Sequence, residues 1–118
     1  MKLHEEIITT VENNNFTISE VEQQDNRFYV ELEQFTPLGE DWSETIWFDG
    51  TNHGFIYAVV KRYFDFDVDE EAAIWIEHRG TNGVPNSIKS LIEDAEWKEH
   101  MLDVLTDDLI TLEIYKEV

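Results

Sequence analysis

Two runs of alternating residues, "RFYVELEQF" and "WSETIWF", stand on either side of "TPLGED". Successive side chains on a strand point to opposite faces. Phe28, Val30 and Leu32 therefore share one face of the first run, and Trp42, Glu44, Ile46 and Phe48 share one face of the second. The Pro and Gly in "TPLGED" mark a turn between them. Upstream, "FTISEVE" alternates through Phe16 and Ile18 until Val21 breaks the pattern, and "QQDN" is a hairpin loop by composition. A meander of three antiparallel strands is the simplest arrangement of these runs.

The period changes on both sides of the strands. Leu3, Ile7, Ile8 and Val11 recur at helical spacing, which predicts a short helix over residues 2–13, ended by "ENNN". After "DGTNHG", Phe55, Val59 and Tyr63 interleave with Ile56 and Val60, which predicts a helix over 52–64. "DFDVDEE" puts carboxylates before "AAIWIEH", where they favour a helix start at about 69–78. "RGTNGVP" reads as a loop, and Asn86 or Ser87 caps a last helical region beginning "SIKSLIEDAE". Ile92 lies nearer the polar stripe of that region than the apolar one, so a bend or break is expected near 94–97. The class is α+β in a single domain over 1–118: an N-terminal helix, a three-stranded antiparallel sheet and a helical C-terminal half.

Charge limits what this fold can bind. Its 27 acidic residues against 8 basic ones give a formal charge of -19. The chain is 42% hydrophobic, with 4 Trp, 4 Tyr and 7 Phe, and each aromatic can bury roughly 150–250 Å². That apolar content predicts a folded domain despite self-repulsion, which added salt relieves. Nucleic acid and anionic membranes are poor ligands for such a surface, because phosphate binding needs Lys and Arg. There are no cysteines, so disulfides, thiol catalysis and thiolate metal sites are excluded. The N-terminus places two glutamates where a signal peptide needs apolar residues, and no run reaches the ~18–20 apolar residues of a membrane span. A cytoplasmic location is expected.

Catalytic and metal-binding patterns do not rise above the background of acids. Asp65, Asp67 and Asp69 fit the start of a calcium loop, but Glu70 stands where Gly is needed and Ile76 where a bidentate Glu is needed. A solvated turn leading into a helix is the better reading. His4, His53, His78 and His100 form no zinc-type pair and read as surface histidines. Neither GxSxG nor GxxxxGK[ST] is present, and "HRGTNG" lacks the lysine of a phosphate loop. No cofactor is expected and the chain reads as non-enzymatic. Trp42 and Trp47 have opposite parity on one strand. One packs in the core; the other is either covered by a helix or exposed to a partner.

The acids themselves are patterned. In "EDAEWKEHMLDVLTDD", Met101, Leu102 and Leu105 fall on one side of a helix, while Glu96, Glu99, Asp103 and Asp107 form a ladder on the other. Steps of three and four residues set carboxylates roughly 4.5–6 Å apart along the axis. Successive phosphates of one DNA strand rise about 3.4 Å along its axis and lie farther apart through space. The ladder therefore approximates a short phosphate row in sign and roughly in spacing. With the neighbouring Glu93, Asp94 and Asp108, it is the candidate partner-binding surface. No Lys or Arg occurs between residues 28 and 60, where Glu31, Glu33, Glu40, Asp41, Glu44 and Asp49 sit, nor between 99 and 115. A solvated helix face is the plain alternative, although surfaces built for solubility usually mix both signs.

"FTPLGEDWSETIWFDG" and "FDFDVDEEAAIWIEHRGTNGVPNSIKSLIEDAE" carry a G-E-D strand entry, a W-I-E-x-R-G segment and G-V-P-x-S-I before an acidic helix. Through these motifs the chain, over about residues 35–100, resembles a family of small acidic proteins carried by phages and conjugative elements. The resemblance implies cargo of mobile DNA. Acidic proteins in that setting are similar to anti-defence factors, including antirestriction and anti-CRISPR proteins that occupy DNA-binding clefts. It transfers no catalytic residue, and the tail of nearly pure Asp and Glu found in some DNA mimics is absent here. The functional expectation is an acidic nucleic-acid mimic that inhibits a host nucleic-acid-binding defence protein at a basic surface. The alternatives are an immunity protein or antitoxin neutralising a basic toxin, and a carboxylate-based metal-dependent enzyme.

Overall fold

The computed structural model describes residues 2–81 and 87–117, and beyond residue 113 it describes the helical backbone only. Its first element is helix α1 (Glu5–Asn13), started by His4, whose Nδ1 accepts the Glu6 N–H at 3.1 Å. Leu3, Ile7 and Val11 are buried along one side of this helix, as their spacing requires. The expected start at residue 2 moves to 5 because the chain only turns helical after the cap.

The first strand is interrupted. β1 (Thr17–Ile18) and β2 (Glu22–Gln24) both pair antiparallel with β3 (Arg27–Phe35), which pairs on its other side with β4 (Asp41–Phe48). The expected meander of three runs is thus a sheet of four strands. Ile18 faces Leu32 and Glu22 faces Tyr29, so three residues of the first run oppose two of β3. That is a one-residue bulge. It is held by the Ser19 hydroxyl, which accepts the Glu31 N–H at 2.8 Å. The bulge accounts for the broken alternation at Val21. Asp25, at φ 56°, supplies the left-handed step that closes the two-residue hairpin into β3.

Val30, Leu32, Trp42, Ile46 and Phe48 line one face of the sheet and enter the core with Phe16, Phe55, Ile56 and Val59. Trp42 is the buried tryptophan of the strand, with its ring 5.3 Å from Phe16 and 6.0 Å from Trp97. Trp47 lies half-buried on the opposite face, against Tyr29 and beneath the Arg27 guanidinium. Glu44 points inward with its neighbours and is tolerated because it is fully engaged. Arg62 donates to both its oxygens, at 2.7 and 3.0 Å, and the Trp42 indole adds a third bond at 2.9 Å.

Helix α2 (Asn52–Asp65) is capped by Thr51, and α3 (Val68–Glu77) by Asp67, whose carboxylate accepts the N–H groups of Asp69 and Glu70. Asp67 and Asp69 thus start α3, in keeping with the reading of a turn that leads into a helix, and Asp65 ends α2. Helix α4 spans Ile88–Glu117 without interruption and packs against α1, α2 and α3. The break expected as one possibility near 94–97 is absent. Ser87 caps α4 through its hydroxyl, which accepts the Ser90 N–H at 3.3 Å; Asn86, the other expected cap, lies outside the described residues, as does most of the loop expected at 79–85. No helix among the described residues is long and apolar enough to cross a membrane.

Candidate functional site

The continuity of α4 has a simple cause. Leu91, Ala95, Lys98, Leu102, Leu105 and Leu109 are all buried and recur at steps of four and three. The stripe is unbroken only because Lys98 occupies a core position with none of its surface exposed. Ile92 simply faces solvent, which requires no bend. A 30-residue helix is roughly 45 Å long, close to the 47 Å longest dimension of the molecule.

Opposite this stripe the candidate residues separate into three groups. Glu93, Glu96 and Asp107 are exposed, and Glu99 and Asp103 are half-buried; these five form one row along the helix. Asp103 and Glu99 lie on the flank nearest α2, where their charges act on Tyr63. Partial burial, followed by the charges of Asp103 and Glu99, raises the Tyr63 phenol above its ordinary value. Asp108 is turned the other way, toward α1, where it accepts the Asn14 side-chain amide at 3.0 Å. Asp94 leaves the partner surface altogether, because at 4% exposure it belongs to the core.

Asp94 joins a buried cluster that the sequence did not disclose. Glu40 enters from the β3–β4 loop at 7% exposure, Glu71 and Trp75 come from α3, and Asp94 and Lys98 come from α4. The Lys98 ammonium donates to Glu71 at 3.0 Å, stands 3.9 Å from Glu40 and lies 4.6 Å from the centre of the Trp75 ring. The Trp75 indole also donates to Glu71, at 3.2 Å. As ionised groups, Glu40 and Asp94 would have no hydrogen-bond donor among the described residues at any of their four oxygens. One proton held between them supplies a donor and removes a buried like-charge contact. Glu40 is accordingly pushed up from 4.5 to about 7, first by burial and then by the hydrogen bond and charge of Asp94. Lys98 pulls it the other way, and Glu71 adds to the rise.

The cluster fixes α4 to α3 and to the sheet, and so fixes where the acidic row points. Its protonation gives a pH dependence of unusual sign. The folded state holds the Glu40 proton more tightly than the unfolded chain does. The stability contributed by this group is therefore complete below about pH 4.5 and is lost as pH rises through about 7. Urea unfolding between pH 5.5 and 8 should show a loss on the order of 2 kcal/mol from this group. Glu40→Gln, which cannot titrate, should flatten the profile in that window. An equally steep profile in the variant would assign the slope to surface repulsion instead.

The four histidines are exposed; His53 contacts Glu113, and His4 caps α1. Among the described residues no group of three or more His, Asp or Glu side chains is arranged to hold a metal ion. Two of the six acids in the base-free stretch 28–60, Glu40 and Glu44, are buried and engaged, so that stretch presents less exposed charge than its sequence implies. Lys98 on the stripe of α4 was the readable signal for the cluster, since a lysine at a core position requires carboxylates around it. Comparison with protein-family models, with curated proteins and with solved structures finds no match for this chain.

Proposed function

We propose that this chain is a non-enzymatic inhibitor that acts in the cytoplasm on a basic, nucleic-acid-binding defence protein, with α4 standing in for a phosphate backbone. The observation that carries this reading is the row of Glu93, Glu96, Glu99, Asp103 and Asp107 on one side of an unbroken helix. Like charges at i and i+4, as in Glu99, Asp103 and Asp107, destabilise a helix by a few tenths of a kcal/mol per pair. Lysines interspersed on that face would relieve this, yet the single lysine between residues 90 and 115, Lys98, points inward. The row is held rigid by the core stripe behind it, so a partner would meet carboxylates already in place. The motifs over residues 35–100, similar to those of acidic proteins of mobile DNA, support the same reading. The segments that build the buried cluster, with Glu40, Glu71, Trp75, Asp94 and Lys98, all fall within that span.

Competition tests this directly. A host protein captured on the immobilised chain should bind a nucleic-acid duplex on its own and release that duplex as the chain is added. Raising the duplex concentration should in turn release the chain. A captured protein that holds chain and duplex together would refute mimicry and would fit the immunity-protein alternative.

A further inference from the structure

The outer face of α2 carries two large aromatic side chains that the fold leaves open, Tyr57 at 65% exposure and Phe64 at 76%. Seven residues apart, they lie on one side of the helix, two turns from each other. Moving around α2 from the side that meets α4, the order is Tyr63, Val60, then Phe64 and Tyr57, with Lys61 on the far flank. The Tyr63 and Phe64 rings are 5.8 Å apart, and Tyr63 lies within the field of Asp103, Glu99 and Asp107 of the acidic row. Carboxylates and open aromatic faces thus form one continuous surface, from Glu99, Asp103 and Asp107 across Tyr63 to Phe64 and Tyr57.

We infer that this α2–α4 surface is built to receive guanidinium groups, so that its protein partner engages it with arginines rather than lysines. The inference rests on the reading of the row as a site for a basic partner and specifies the chemistry of that partner. A guanidinium is planar, weakly hydrated and able to bond a carboxylate with two parallel donors while its face lies on a ring; an ammonium is compact and strongly hydrated. Arg62 of the chain is held in this way, and Arg27 shows the ring contact alone. Arg62 donates twice to Glu44 while its guanidinium lies 5.0 Å from the centre of the Phe66 ring, and Arg27 lies 4.3 Å from the Trp47 ring centre. The lysine version, Lys98 against Trp75, occurs where burial is complete and carboxylates from two separate elements, Glu71 and Glu40, enclose the ammonium and offset the water it has lost. On the open α2–α4 surface that advantage is absent, and the guanidinium is the better fit.

The test uses the full chain with arginine and lysine homopeptides of equal length, titrated at one moderate ionic strength. The wild type should bind the arginine peptide about 5-fold more tightly. The double substitution Tyr57→Leu with Phe64→Leu keeps apolar bulk and removes the rings. It should abolish that preference and leave lysine-peptide binding unchanged. Equal affinities in the wild type, or a preference that survives the double substitution, would overturn the inference. Neutralising the row with Glu96→Gln, Glu99→Gln, Asp103→Asn and Asp107→Asn should weaken both peptides together. If it weakens neither, or if the wild type binds neither peptide, the underlying reading of the row fails as well. If it weakens both while the preference proves independent of Tyr57 and Phe64, only the guanidinium inference fails.

Discussion

Replacing Lys98 with methionine should lower the unfolding free energy by about 3–5 kcal/mol. Methionine fills a similar volume, so the loss comes from charge and not from a cavity. Without the ammonium, Glu40, Glu71 and Asp94 face one another with the positive charge between them removed, and Glu40 and Asp94, as ionised groups, have no hydrogen-bond donor among the described residues. A buried charge stripped of its partner is among the most destabilising single changes available to a protein. Adding Glu40→Gln to Lys98→Met should recover part of the loss, because it removes one of the stranded carboxyl groups. Urea unfolding at pH 7 reads both effects. A loss below about 1 kcal/mol for Lys98→Met would mean that the cluster is solvated and does not fix α4.

The same lysine marks the limit of what the sequence discloses. Strong periodicity carried the fold: the inward faces of β3 and β4, the helix over 52–65 and the acidic start of α3 all follow from spacing and capping chemistry. Three features did not follow. The bulge between β1 and β2 depends on the Ser19 hydroxyl replacing a ladder partner of Glu31, a tertiary contact that no local pattern encodes. The continuity of α4 did not follow because Ile92, near the polar stripe, points to a bend in a regular pattern, whereas it simply faces solvent. The buried cluster did not follow because Lys98 completes the stripe from Leu91 to Leu109 only in the packed fold. The carboxylates of the candidate surface divide on the same ground. Spacing alone put Glu96, Glu99, Asp103 and Asp107 in one row, to which the structure adds Glu93, whereas Asp94 could be assigned inward only once Lys98 and Glu40 were known to lie beside it. Nothing in the spacing of Tyr57 and Phe64 distinguished open rings from rings covered by another helix.

Removing the charge of the row should weaken binding to the captured basic target on the order of 30-fold at low salt, taking roughly 0.5 kcal/mol for each of four exposed contacts. The substitutions Glu96→Gln, Glu99→Gln, Asp103→Asn and Asp107→Asn keep side-chain size. The core stripe of α4 is untouched, so helicity should persist. The matched control is Glu22→Gln, Glu31→Gln, Glu33→Gln and Asp41→Asn, all on the open face of the sheet. Glu40 and Glu44 are unsuitable as controls because both are buried. Each variant reduces the charge of -19 by four. The decisive measurement is the affinity of wild type, row variant and sheet variant for that target across a salt series, with folding confirmed by circular dichroism. The row variant should lose most of the affinity and give a shallower salt dependence, with the sheet variant close to wild type. Equal weakening by the two variants, or full-strength binding by a folded row variant, would contradict the proposal that α4 is the partner-binding surface.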